Sequence, residues 1–375
     1  EVWTGALEAA TRHLRVGLAV ARRAGRDGLV LGFLGQLAAV TGASRPGEGV
    51  RLAREALALA ERRGWSQHPS AACAYLVLGG AHFEWGDLAT AERYLDLAMA
   101  CRPEPAISLT IGLTRAVVAH AKGDPAAGLE VLRGAQQELQ RLNGPYVMAA
   151  SLQEWEARLL AATDRVEQAR ALLSTSDEPP PPPSTATLAV RAELQLAEGD
   201  AAGAVATLAP CLDGSAPPLV AYQMLETLLL DAVAHQRLGD LDAAATSLEH
   251  ALQVAEPEGY RQVFWNLGEE VHALLLRQRQ RGTAHPQLLT ELLDRPASSA
   301  APSALPPPVA LAAPLTEREQ AVLGFLDSDL STRQIADELY LSVNTVRSHV
   351  RRIYRKLNAS RRGDAVRRAR HLRLL

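Results

Sequence analysis

The amino-acid sequence predicts an all-α fold, a stack of helical hairpins followed by a small helix-turn-helix unit. Three observations carry this. Hydrophobic residues make up 47% of the 375 but aromatic residues only 4%, so the cores are built from Ala, Leu and Val, and Ala and Leu lose little entropy in helices. A small residue followed by Asp recurs at a near-constant period through the first 250 residues. The stretch after Leu315 holds short amphipathic segments, each opened by a capping signal.

The recurring signature places the hairpins in order. Its copies open at Gly86-Asp87, Gly123-Asp124, Thr163-Asp164, Gly199-Asp200 and Gly239-Asp240, with Asp-to-Asp steps of 37, 40, 36 and 40 residues. A degenerate earlier copy starts near Arg45-Pro46-Gly47. At each copy the glycine leaves one helix in a left-handed conformation and Asp caps the next. Units of this length cannot bury their own apolar faces, so they stack into a solenoid with a concave inner wall. Tyr75, Trp85, Trp155 and Tyr222 are the candidate contacts for a ligand or partner on that wall. Pro179 to Pro183 cannot continue a helix and reads as a polyproline spacer between two units. From Pro296 to Pro314 the chain turns to Ala, Ser and Pro, the composition of a semi-rigid linker. The expected division is therefore an array at 1–295, a linker at 296–314 and a terminal unit at 315–375.

In the terminal unit, Thr316-x-x-Glu319 and Ser331-x-x-Gln334 have capping-box spacing and start helices running to about Leu326 and Leu339. Ser342 caps a third helix reaching Leu357. On it Val346, Val350, Ile353 and Leu357 fall at helical spacing and turn inward to Ile335, Ala336 and Leu339. The opposite face carries Asn344, Arg347, Ser348, Arg351 and Arg355, the side chains suited to a DNA major groove. Charge is distributed accordingly. The net charge is −3, but from Leu315 onward thirteen Arg or Lys face seven Asp or Glu, which leaves +6 on the tail and −9 on the rest. A basic tail on an acidic body fits a chain that meets nucleic acid only at its end.

Other chemistries find no support. Cys73, Cys101 and Cys211 are dispersed and form no metal-ligand spacing, and a reducing cytoplasm suits them. No His-Glu-x-x-His or Gly-x-Ser-x-Gly occurs, so no enzymatic activity and no metal are expected. His82, His120 and His235 precede the Gly-Asp corners and read as partly exposed helix-end histidines. No apolar run approaches the ~20 residues of a membrane span. The sequence opens on Glu1 instead of Met, which raises the expectation of a segment upstream.

Two resemblances add to this reading. The Gly-Asp hairpins from Gly42 to about Tyr260 resemble tetratricopeptide repeats, lengthened and with the usual aromatic positions mostly lost. Leu-Thr-x-Arg-Glu from Leu315, Leu-Ser-x-x-x-Ile-Ala from Leu330, Leu-Ser-x-x-Thr-Val-Arg-x-His from Leu341 and the closing Lys356-Leu357 resemble the LuxR-type DNA-binding domain. That likeness implies a four-helix unit whose third helix reads DNA. It implies that Arg347, Ser348 and Arg351 meet base edges and that Arg333, Ser342, Asn344, Thr345, Arg355 and Lys356 lie nearer phosphates. It also implies a fourth helix, Asp364 to Leu372, that pairs two copies through Ala365, Val366, Ala369 and Leu372. The sequence departs from the pattern at Asp329 and Asn358, where glycine is usual, and at Arg347, where lysine is usual. Asp329 is expected to modulate affinity, and the arginines from Arg361 to Arg373 are read either as a solvated face or as phosphate contacts.

An array, a proline-bearing linker and this tail together resemble the carboxy-terminal portion of MalT-like regulators, and Glu256 to Phe264 resembles the junction in that group. The resemblance implies an array that senses an inducer or protein and a tail that activates transcription by recruiting RNA polymerase as a homodimer on double-stranded DNA. No Gly-x-x-x-x-Gly-Lys-Ser/Thr occurs, so no cofactor is expected here and ATP only through a module upstream of residue 1. The alternative is a repeat adaptor for proteins whose tail tethers DNA weakly and without sequence preference.

Overall fold

A computed structural model describes residues 2, 6–141, 148–163, 165–174, 184–294, 315–326, 328, 330–339, 341–357, 359, 362–371 and 374, with backbone alone at 141, 174, 317, 364, 367, 368, 370 and 371. Among these residues every regular element is a helix. The chain divides into two compact units, Glu1–Ser298 and Ser299–Leu375. The proline run 179–183 and the stretch 296–314 lie outside the described residues.

The first unit starts with α1 (Leu7–Arg23) and continues as six hairpins. These are α2 (Asp27–Gly42) with α3 (Pro46–Arg63), α4 (Ala72–Glu84) with α5 (Leu88–Ala100), and α6 (Pro105–Ala121) with α7 (Pro125–Arg141). Then come α8 (Ala149–Ala161) with α9 (Val166–Ser174), α10 (Thr185–Ala197) with α11 (Ala201–Leu212), and α12 (Ala221–Leu238) with α13 (Leu241–Ala255). The first helices of successive hairpins pack on one another in a continuous layer. Their sequences show it, because α4 buries Cys73, Tyr75, Leu76, Leu78 and Phe83 on several faces, whereas α5 buries only the stripe Thr90, Ala91, Leu95 and Ala98.

Local chemistry makes the corners. Gly86, Gly123, Gly199 and Gly239 adopt φ of 83–85°, and the following Asp87, Asp124, Asp200 and Asp240 each accept a bond from the backbone N–H three residues on, at 2.8–3.1 Å. The N–H of Asp87 also bonds back to the His82 carbonyl at 2.8 Å, which closes the preceding helix. At the remaining corner the equivalent bond comes from Arg165 to the Leu160 carbonyl, 2.9 Å. That is one residue later than the Thr163-Asp164 register, and Asp164 lies outside the described residues.

The array extends beyond the stretch read as repeats. At its start, α2 and α3 cross with backbones touching, since a Cβ on Gly49 would stand 2.6 Å from Gly42 Cα. At its end, α14 (Gln262–Asn266), α15 (Gly268–Arg281) and α16 (Pro286–Leu293) bury Phe264, Val271, Leu275, Leu288 and Leu292 in the core that α10 to α13 begin.

The array also closes on itself. Ala221 N–H bonds the Ala43 carbonyl at 3.1 Å and Arg261 N–H bonds the Glu84 carbonyl at 2.9 Å. Glu258 accepts from Gly47 N–H at 2.8 Å, while the Trp85 indole N–H donates to the Glu258 carbonyl at 3.0 Å. Gly86 belongs to this closure, because a Cβ there would run into the Trp265 ring. Gly86→Ala therefore combines a left-handed residue with a clash and is expected to cost about 1–3 kcal/mol. Gly123→Ala has the same φ but nothing nearby, so urea melts of the two variants separate the clash from the backbone strain.

Candidate nucleic-acid interface

The second unit is built from α17 (Glu317–Leu326), α18 (Thr332–Glu338), α19 (Val343–Lys356) and α20 (Arg362–His371). Two reciprocal caps start its first helices. Thr316 N–H donates to Glu319 Oε2 at 2.8 Å and Ser331 N–H to Gln334 Oε1 at 2.9 Å, with Glu319 and Gln334 N–H returning to the hydroxyls. Leu341 N–H bonds the Ala336 carbonyl at 2.8 Å and turns the chain from α18 toward α19. Ser342 then caps α19 by accepting from Thr345 N–H at 3.1 Å, and the two hydroxyls lie 2.7 Å apart.

Val322, Leu323, Ile335, Ala336, Val346, Ile353 and Leu357 form the core that holds α19 in place. With that face committed, Asn344, Arg347, Ser348, Arg351, Arg352 and Arg355 are exposed along α19, and Arg333 is exposed on α18. Arg347, Arg351, Arg352 and Arg355 have no acidic partner among the described residues. Arg352 is the one addition to the face expected from sequence; it sits beside Arg351 at the edge of the same helix.

Several long or small side chains play other parts than the sequence suggests. Lys356 points inward. Its Nζ lies 2.7 Å from Glu319 Oε2 with side-chain exposures of 15% and 2%, so it ties α19 to the start of α17 and is not a phosphate contact. Burial acts to raise the Glu319 carboxyl, but the Lys356 ammonium and the Thr316 donors outweigh it and hold the group below the usual carboxylate range. Arg362 also turns inward from the expected basic face. It donates to the carbonyls of Leu326 at 3.0 Å, Leu330 at 2.6 Å, Phe325 at 3.2 Å and Ser328, satisfying carbonyls at the end of α17 and just beyond it. Asp329, Asn358, Arg361 and Arg373 lie outside the described residues.

The fourth helix also requires a correction. Ala365 and Ala369 are fully buried against the unit's own core, so they do not form a surface that pairs two copies. Val366 is partly buried, and Leu372 lies outside the described residues.

The four aromatic residues proposed for the array's inner wall have internal partners. Tyr75 is a core residue stacked on Tyr94 at 6.3 Å. Trp85 is held by its bond to Glu258. Trp155 lies between the His120 ring, 5.9 Å away edge-on, and the Arg158 guanidinium, 5.0 Å above it. Tyr222 accepts from Asn266 Nδ2 at 3.5 Å, and burial raises its hydroxyl far above the ordinary value. These contacts make them packing residues. His82 and His120 are likewise more enclosed than helix-end histidines usually are, and burial lowers both below the ordinary imidazole value.

The fold and the exposed arginine face of α19 define the class: a helical-repeat protein with a helix-turn-helix, which is a DNA-binding transcription regulator. Residues 2–281 match the family model of the MalT-like TPR region, and residues 313–369 match that of bacterial regulatory proteins, luxR family. The chain belongs to the MalT-like TPR family and carries a luxR-family DNA-binding domain. No helix among the described residues is long and apolar enough to cross a membrane.

Proposed function

We propose that the chain reads specific DNA sequences through α19, binding as a homodimer to two half-sites, and that its array senses a small molecule or protein and thereby controls activation of transcription. The observation that carries this reading is the row Asn344, Arg347, Ser348 and Arg351 on the exposed face of α19, opposite the buried Val346 and Ile353. A positioned guanidinium grips guanine O6 and N7 at once, a bidentate contact no other base offers. Arg355, a turn further along, and Arg333 on α18 supply charge toward the backbone, which holds every sequence alike.

The test is a binding motif selected from random duplex DNA by the full chain, followed by titrations at several salt concentrations. Arg347→Ala and Arg351→Ala are each expected to cost about 1–3 kcal/mol on the selected site while non-specific affinity changes little. Arg355→Ala is expected to weaken all DNA alike and to reduce the salt slope by about one. A two-fold motif with half-sites about one helical turn apart supports the homodimer. Equal losses for both kinds of variant, with no motif, would leave a repeat adaptor that tethers DNA weakly.

A further inference from the structure

One apolar opening in the array is a cavity of about 270 Å³, slightly below the ~300–1,000 Å³ usual for drug-sized ligands. Its wall is drawn from places far apart in sequence, among them Val40 near the end of α2, Val77 and Gly80 on α4, and Leu219 and Val220 just before α12. Those places meet because the array closes on itself, with the Ala221 to Ala43 bond at the rim. Among the described residues the lining is apolar except for two polar side chains. One of them, the Thr110 hydroxyl, is already spent on the Ala106 carbonyl at 3.0 Å.

The other is Glu84, at the end of α4. Its carboxyl has no hydrogen-bond or ion-pair partner among the described residues. Neighbouring cations do not serve it, since the Arg261 guanidinium is committed to Glu291 and to the Gly259 carbonyl. Glu258 adds further negative charge beside it, and burial with that charge raises the Glu84 carboxyl to about 8. The Glu84 side chain is partly exposed, so its carboxyl is only partly solvated in this apolar wall, and a ligand that brings a positive donor completes its partners. Sugars and anions fit poorly, because the wall has nothing to satisfy several hydroxyls and the local charge repels a carboxylate.

We propose that this cavity is the effector site of the array and takes a small apolar molecule bearing a single amine, whose cation meets Glu84. The inference rests on the reading that the array senses a ligand, and it names the ligand's chemistry. A molecule filling the cavity touches α2, α4 and the entrance to α12 together, so it stabilises the closed array over an opened one, which is the differential binding a sensor needs.

The test uses the full chain with n-hexylamine as probe and n-hexanol and hexanoate as matched controls, followed by calorimetry and thermal melting at pH 7. Hexylamine is expected to bind saturably and to raise the melting temperature of the array, with hexanol weaker by about tenfold or more and hexanoate inert. Glu84→Gln keeps the shape and is expected to abolish the preference of amine over alcohol. Gly80→Leu fills the cavity and is expected to remove both. No saturable binding of hexylamine, equal binding of hexanoate, or an amine preference surviving in Glu84→Gln would each overturn the proposal. If another class of compound or a protein altered DNA binding while hexylamine stayed inert, sensing by the array would stand and this site would not.

Discussion

Replacing Arg158 by Ala is expected to destabilise the array by about 3–5 kcal/mol, the usual cost of removing one member of a buried ion pair. The side chain is 8% exposed and sits among first helices of three successive hairpins. Its Nε donates to Glu193 at 2.7 Å, and its Nη2 lies 2.7 Å from Glu226, whose own side chain is 5% exposed. The same guanidinium covers the Trp155 ring. Taking it away leaves two carboxylates facing each other across α10 and α12 with no countercharge, and Trp155 loses its cover. Glu154 does not add to that excess to the same degree, because it accepts from the Ser184 and Thr187 hydroxyls at 2.7 Å each and so fastens α8 to the start of α10.

The pH dependence of this cluster gives the experiment its control. Burial raises the Glu226 carboxyl, Arg158 lowers it and Glu193 raises it, which together leave it at about 7. A carboxyl with a raised folded value binds more protons folded than unfolded. Its contribution to stability is fully present below the ordinary value near 4.5 and is lost as pH rises through about 7. Urea melts at pH 6 and pH 8 should therefore show a loss in the wild type from this group that Glu226→Gln removes. Arg158→Ala should lose more at pH 8 than at pH 6. A variant as stable as wild type at both values would mean that the cluster is solvated and not buried.

Much of the fold was legible because its signals are local. A glycine with φ near 84° and an Asp that bonds three residues ahead are decided within one turn of chain, and they fall at each Gly-Asp corner that the sequence marks. The caps at Thr316, Ser331 and Ser342 are local in the same way, which is why the reading helix could be placed and its inward face assigned. The corner of the first hairpin was read only as a degenerate copy near Arg45-Pro46-Gly47, where α3 begins, because its signal is not local. Gly42 and Gly49 matter only through the approach of two backbones, and no Asp marks that corner. The four wall aromatics were misplaced for a related reason. Helical spacing says which way a Cβ points, but Trp85 and Trp155 are claimed by Glu258 and Arg158, residues that reach them only in the folded array. Ala365 and Ala369 show the same ambiguity, since a stripe of small residues has one spacing whether it faces another copy or its own core.

Lys356→Met tests the sharpest departure from the sequence reading, because the two roles give opposite results. A phosphate contact would be lost with stability unchanged and with a salt slope reduced by about one. An inward pair is lost with the DNA-binding unit destabilised by about 3–5 kcal/mol, because Glu319, 2% exposed, keeps its charge without the ammonium. The second result is expected, with the salt slope retained wherever the unit is still folded. Met preserves most of the apolar stem, so the loss reports charge and not a cavity. The double variant Lys356→Met, Glu319→Gln should recover most of the stability, since Gln at this position still accepts from Thr316 N–H and no charge is left buried. Acid gives an independent check. The Glu319 carboxyl is held below its ordinary value near 4.5 in the folded unit, so the stability it contributes is present above that value and is lost as pH falls through the folded one. That acid-sensitive component should disappear in the double variant, whereas a salt slope that fell with Lys356 and a melting temperature that did not would return this lysine to the DNA surface.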